Sequence, residues 1–218
     1  VARRKVSNPL ALAALALLTE KPMHPYEMST TLRERSKEES IKLNYGSLYS
    51  VIQSLQRHKL IDVHETVKDG KRPERTVYSI TEAGRAELID WLSELISTPV
   101  KEFTQFEAGL SLIGVLHPDE ALDLLRQRRN RLDVLITGWD TVTEKIKETH
   151  ALAEILLIEH DYTRALRAAE LEFVDALIEK IEKGTLGGIE GWRQVNETGV
   201  VTVDLGWLAT RPPTGRAD

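Results

Sequence analysis

The chain contains no cysteine. Disulfides, thiolate metal sites and cysteine nucleophiles are thereby excluded, and the absence fits a reducing cytoplasm. Long apolar runs are missing as well. A membrane-spanning helix needs about 20 apolar residues, and the most apolar stretch, Leu10 to Leu18, falls well short. Its basic flank, Arg3-Arg4-Lys5, imitates a secretory signal, but Glu20-Lys21-Pro22 comes at once and no A-x-A site closes it. It reads as a buried helix. The catalytic signatures G-x-S-x-G, H-E-x-x-H and the phosphate-binding loop are lacking. The six histidines show no metal spacing: His150 with Glu154, and Glu159-His160-Asp161, supply no third ligand with a supporting shell. Gly184-Thr185-Leu186-Gly187-Gly188 comes after a helical segment instead of preceding one, the wrong order for cradling a phosphate. The expectation is a protein that is not an enzyme and has no cofactor and no metal.

What is present is unevenly distributed. The net charge of −5 hides a front end, residues 1–82, at +4 and a back end, residues 83–218, at −9. A basic front is compatible with a nucleic-acid partner. Asn8 and Pro9 open a first helix to about Thr19, and Pro25 opens a second to about Arg35. Ser36 to Lys42 reads as a loop. Leu48, Val51, Ile52 and Leu55 set the apolar face of a third helix. Tyr45, Ser47, Tyr49, Ser50, Gln53 and Arg57 fall on its other face. Leu60–Val67 and Arg75–Ile80 alternate as strands around Asp69-Gly70, a hairpin signal. Ile61, Val63, Glu65 and Val67 share one side of the first strand. Thr81 caps a fourth helix over Ala83–Ile96.

Helix, helix, helix, hairpin, helix is the order of a winged helix-turn-helix. The fold class expected is mainly α with a small β-wing: an N-terminal winged helix-turn-helix over 1–96, then a long-helix domain over 97–183. The polar face of the third helix suits a major groove about 12 Å wide. Lys68, Lys71 and Arg72 at the hairpin tip suit phosphates or a minor groove. Beyond Pro99 the chain reads as one helix over Phe103–Leu116, a long one from Pro118, and another over Ala151–Lys183, the long pair approximating a coiled-coil seam. Residues 184–218 form an extension without helical period, with a short strand suggested at Val200–Leu205.

Four blocks in order carry a resemblance: His24-Pro25-Tyr26-Glu27-Met28, Tyr45-Gly46-Ser47-Leu48-Tyr49, Leu55-Gln56-Arg57-His58-Lys59-Leu60-Ile61, and Tyr78-Ser79-Ile80-Thr81-Glu82-Ala83-Gly84. Over residues 8–96 the chain resembles the PadR family of bacterial transcriptional regulators. The back half resembles, by architecture, the larger subfamily with a virulence-activator-type dimerisation domain. Pro25 stands where the family often has glycine, and Ser50 where it often has proline. The resemblance implies a cytoplasmic homodimer that binds a palindromic DNA operator, usually as a repressor, with no membrane partner. Some members release DNA when a small aromatic or drug-like effector binds. It also implies DNA contacts at Tyr26, Tyr45, Ser47, Tyr49, Ser50, Lys68, Lys71 and Arg72.

Each of these residues has a plainer reading. The tyrosines could bury their rings and wet their hydroxyls, with Tyr26 packed under the helix-turn-helix. The wing cations could be an ordinary solvated turn. Arg126, Arg128, Arg129 and Arg131 read as a solvated helix face. Trp91 and Trp139, with Phe103 and Phe106, are the effector-site candidates, against the plainer role of core. The alternative function is a winged-helix adaptor that contacts protein without binding DNA.

Overall fold

The structure, a computed structural model, describes residues 8–42, 44–67, 75–149 and 154–199. Lys68, Lys71, Arg72 and the Val200–Leu205 segment lie outside the described residues. The chain is mainly helical with one two-stranded antiparallel sheet, and divides into two compact units, residues 1–101 and 102–218.

In the first unit, α1 (Pro9–Glu20) starts where Asn8 Oδ1 accepts from the Leu10 amide at 2.9 Å. It buries Leu10, Ala11, Ala13, Ala14, Leu15, Leu17 and Leu18. A helix apolar on so much of its circumference belongs in the centre, and the others pack around it. Helix α2 (Pro25–Glu34) contributes Met28 and Leu32. Between α2 and α3 the expected loop contains a single 3₁₀ turn, Lys37–Glu39. Helix α3 (Tyr45–Arg57) buries Leu48, Val51, Ile52 and Leu55, as the spacing requires. Strands β1 (Ile61–Val67) and β2 (Arg75–Ile80) pair antiparallel. The alternation expected for β1 is interrupted by a bulge at His64 between Val63 and Glu65. An extra residue shifts the side chains after it; ahead of the bulge, Ile61 is buried and Val63 is 45% exposed.

Helix α4 (Glu82–Ser97) is locked to the sheet by its first turn. The Thr81 hydroxyl accepts from the Gly84 amide at 3.0 Å and sits 2.9 Å from the Lys59 carbonyl oxygen, to which it can donate. Gly84 lies so close to the chain after α3 that a Cβ there would stand 2.1 Å from the Leu60 oxygen. Lys59 itself reverses the chain out of α3 in the left-handed region, at φ 58°.

The second unit is built on α6 (Pro118–Thr149) and α7 (Ile158–Glu182), an antiparallel pair. Leu125 and Leu132 meet Val174, Ile178 and Ile181 in its core. The arginine run on α6 is more than a solvated face. Arg126 bonds Glu182 at 2.7 Å, Arg128 bonds Glu170 at 2.5 Å, and Arg129 stands 3.4 Å from Asp175. Asp140 and Arg164 extend the row at 2.5 Å. Partners 24 to 56 residues away zip the two helices.

Three expectations are corrected here. Phe103–Leu116 is not one helix: α5 covers only Gln105–Ser111, capped by Thr104, and a 3₁₀ turn comes next at Ile113–Val115. Leu112, at φ −116°, leaves helical geometry between them, and Gly109 and Gly114 weaken helix propensity on either side. The stretch after Gly184 does contain a helix, α8 (Ile189–Thr198). Gly188 at φ 84° and Gly199 at φ 70° bound it with conformations glycine adopts at no steric cost. Ile189 is buried and Trp192 packs beside it on the α6–α7 core. The Trp192 indole N–H donates to the Leu116 carbonyl at 2.8 Å. The helix ahead of this region, expected from Ala151, begins at Ile158 after a 3₁₀ turn at Glu154–Leu156; residues 150–153 lie outside the description.

Candidate nucleic-acid interface

Helix α3 gains its start from Asn44, whose side-chain oxygen accepts from the Gly46 and Ser47 amides at 2.9 and 3.4 Å. With the apolar face buried on α1 and α2, the outward face carries Ser47, Tyr49, Ser50, Gln53 and Arg57, all exposed. Thirteen residues make a rod about 20 Å long. Ser50 Oγ donates to the Gly46 carbonyl at 3.1 Å, which leaves its lone pairs as acceptors. Tyr49 is 38% exposed and Tyr26 63%, so Tyr26 is a surface residue at the start of α2 and not a buried prop. Tyr45 occupies the first position of α3; its side chain lies outside the description.

The position of α2 is fixed by charge and by an unusual cap. Arg35 holds Glu20 with two bonds, 2.5 and 2.8 Å. The guanidinium keeps the Glu20 carboxyl below the usual carboxylate range. At the other end the His24 imidazole Nδ1 accepts from the Tyr26 amide at 3.0 Å. Burial of the half-buried ring, and then the nearby Arg75 charge, push the His24 pKa down; Glu27 acts weakly the other way. The neutral ring required by the cap is therefore the favoured one. The cap was not anticipated from sequence, although histidine directly before Pro25 at the first helical position is a readable signal.

The hairpin is tied into this corner. Met23 N–H donates to the Tyr78 carbonyl and Tyr78 N–H to the Met23 carbonyl, both at 3.0 Å. Met23 thus adds one residue of third strand beside β2. Arg75, the first residue of β2, is exposed. The unit thereby presents hydroxyls, an amide and a guanidinium at helical spacing, the donor and acceptor types that base edges and phosphates take.

The four effector candidates divide between the two units. Trp91 is 5% exposed and belongs to the core of the first unit. Phe103, in the second unit, is 86% exposed. Phe106 lies under the Arg128 guanidinium at 3.7 Å and lines a groove of about 430 Å³ between α5, the 3₁₀ turn and α6. Trp139 lines a separate cavity of about 340 Å³ with His160, Asp161 and Arg164. Its ring meets that of His160 at 4.8 Å and the Arg167 guanidinium at 5.1 Å. Among the described residues no group of acidic and histidine side chains could hold a metal ion, and no helix is long and apolar enough to cross a membrane.

Comparison with known proteins bears on both units. Residues 14–90 match the family model described as the transcriptional regulator PadR-like family. Bacillus subtilis PadR, solved in complex with operator DNA, is 19% identical, with a TM-score of 0.61 over 80% of this chain and 99% of that one. The same protein in complex with p-coumaric acid gives 17%, 0.60, 79% and 98%. A PadR-like transcriptional regulator from Bacillus cereus gives 19%, 0.53, 80% and 99%. At about four fifths of the chain the likeness extends beyond the first unit into the second and shows a shared fold. No curated protein sequence matches. Helix α3, the clamped hairpin and the α4 cap all fall inside the span that matches the PadR-like family model.

Proposed function

We propose that the chain is a cytoplasmic repressor that binds a palindromic DNA operator as a homodimer and is released by a small aromatic effector. One observation carries the reading: the outward polar face of α3, with its apolar side buried, stands beside a hairpin hydrogen-bonded into the same domain. Ser47, Ser50 and Tyr49 read base edges or adjacent phosphates, Tyr45 and Tyr26 approach the backbone, and Lys68, Lys71 and Arg72 bind phosphates. Two such heads related by a two-fold axis meet half-sites one helical turn, or a multiple of it, apart. The helices of the second unit supply the dimer contact. Phe106 and Trp139, in separate cavities, are the two places where an aromatic effector stacks.

Fluorescence anisotropy with duplex DNA from upstream of its own gene, beside a scrambled duplex, tests this at two salt concentrations. Lys71→Ala with Arg72→Ala weakens binding to both duplexes alike and flattens the salt dependence, because phosphate contacts release counterions without regard to sequence. Ser47→Ala narrows the gap between specific and scrambled DNA. Absence of binding to either duplex at low salt would replace this reading with the adaptor, in which the winged helix contacts protein alone.

A further inference from the structure

The outward face of α3 has a centre line. At about 100° per residue, Gly46, Ser50, Gln53 and Arg57 lie within about 30° of the direction opposite the buried Leu48, Val51, Ile52 and Leu55. All four are exposed, and no residue of the helix is acidic. Glycine at position 46 is not a demand of the fold. Among the described residues a Cβ there meets Asn44 Oδ1 alone within 4 Å, at 3.5 Å, an ordinary contact. Glycine meanwhile costs a helix about 1 kcal/mol against alanine. What it provides is a thin first turn, where another molecule can come close to the backbone.

The groups along this line differ in what they can still bond. Ser50 commits its proton to the Gly46 carbonyl at 3.1 Å. Arg57 sits in the last turn, away from the helix N-terminus that leads into a groove in helix-turn-helix proteins. Gln53 stands about 10 Å along the axis from Gly46, and its amide has no hydrogen-bond partner among the described residues. That amide sets one acceptor beside one donor. Adenine presents the complementary pair on its major-groove edge, an N6 amino group that donates and an N7 that accepts. Guanine offers two acceptors there, and cytosine a donor alone, so both bonds form only with adenine.

We propose, on the DNA-binding reading above, that Gln53 is the specificity-determining residue for one A·T pair of the site. Its Oε1 accepts from adenine N6 and its Nε2 donates to N7. Gly46 lets the first turn sit deep enough for this short side chain to reach the base edge.

The test selects duplexes bound by the full chain from a randomised library. Single-pair variants of the selected duplex are then compared by fluorescence anisotropy. Wild type prefers adenine to guanine at one pair by about 5- to 150-fold, the range a bidentate contact gives. Gln53→Ala reduces that preference to less than about twofold and keeps the preferences at other pairs. Its Tm does not fall, because the side chain is exposed and alanine favours helix. Gln53→Arg moves the preference at the same pair to guanine, whose O6 and N7 accept from a guanidinium. Gln56→Ala is the reference: this glutamine is exposed but about 90° from the centre line, and its loss leaves the adenine preference as in wild type. Three results overturn the proposal: Gln53→Ala with every wild-type preference intact, a preference lost at a G·C pair instead, or an equal loss in Gln56→Ala. A wild-type chain that selects no sequence removes the DNA-binding reading itself, so the two failures are told apart.

Discussion

Gly84→Ala isolates the closest backbone approach in the first unit. A Cβ at this position meets the Leu60 oxygen at 2.1 Å, the Ile80 Cγ1 at 2.9 Å and the Leu60 carbonyl carbon at 3.0 Å. Two of the three are main-chain atoms, so no rotamer change relieves them, and the first turn of α4 must retreat by about 1 Å, overpacking of the kind that costs about 1–3 kcal/mol. The retreat also stretches the Thr81 amide bond to the Leu60 carbonyl, now 3.1 Å, and loosens the threonine cap, at about 1 kcal/mol. Alanine returns up to about 1 kcal/mol of helix propensity. The net expectation is a loss of about 1–3 kcal/mol, which for a unit of this size lowers Tm by about 4–24 °C. Hydrogen exchange of the α1 amides on heating reads the transition, because α1 lies at the centre of that unit. Gly138→Ala is the control. Nothing lies within 4 Å of a Cβ there, in the middle of α6, so the same substitution stabilises the second unit by up to about 1 kcal/mol. A Gly84→Ala protein as stable as wild type would refute the steric argument.

Lys59→Gly removes a β-carbon from a residue at φ 58° and raises stability by about 1 kcal/mol, measured as a higher urea midpoint. Stability falls with acidification through His24: its pKa is depressed in the folded state, so below the ordinary imidazole value of about 6.5 the unfolded chain takes up a proton that the folded one refuses. The loss is complete once pH has passed the folded value, and His24→Asn, which still caps but does not titrate, shrinks the difference between urea midpoints at pH 8 and pH 5. Trp192→Phe deletes the hydrogen bond to Leu116, costs about 1 kcal/mol, and speeds hydrogen exchange along α8.

Local chemistry made the first unit readable. Asn8-Pro9 and Thr81 are caps written in one or two residues, and the Leu48, Val51, Ile52, Leu55 spacing states which side of α3 is buried. The bulge at His64 escaped because alternation on one strand carries no information about its partner. In the second unit the deciding contacts are distant in sequence. The arginines of α6 look like a solvated run until Glu170, Asp175 and Glu182 arrive on the opposite helix. Helix α8 was hidden by Gly184, Gly187 and Gly188, which read as a break, although Ile189, Trp192 and Asn196 already stand at helical spacing. The effector candidates were chosen by residue type, and type does not separate Trp91, a core side chain, from Trp139, which lines a cavity.

The two peptide hydrogen bonds between Met23 and Tyr78 bear on the thermodynamics of recognition. A free two-stranded ribbon is marginal in water, and a partner that had to order one would give up binding free energy to do so. Here the strand bases are aligned by the corner between α1 and α2. That alignment entropy is lost when the domain folds, so the DNA binding proposed above would not lose it a second time for contacts made from the two strands.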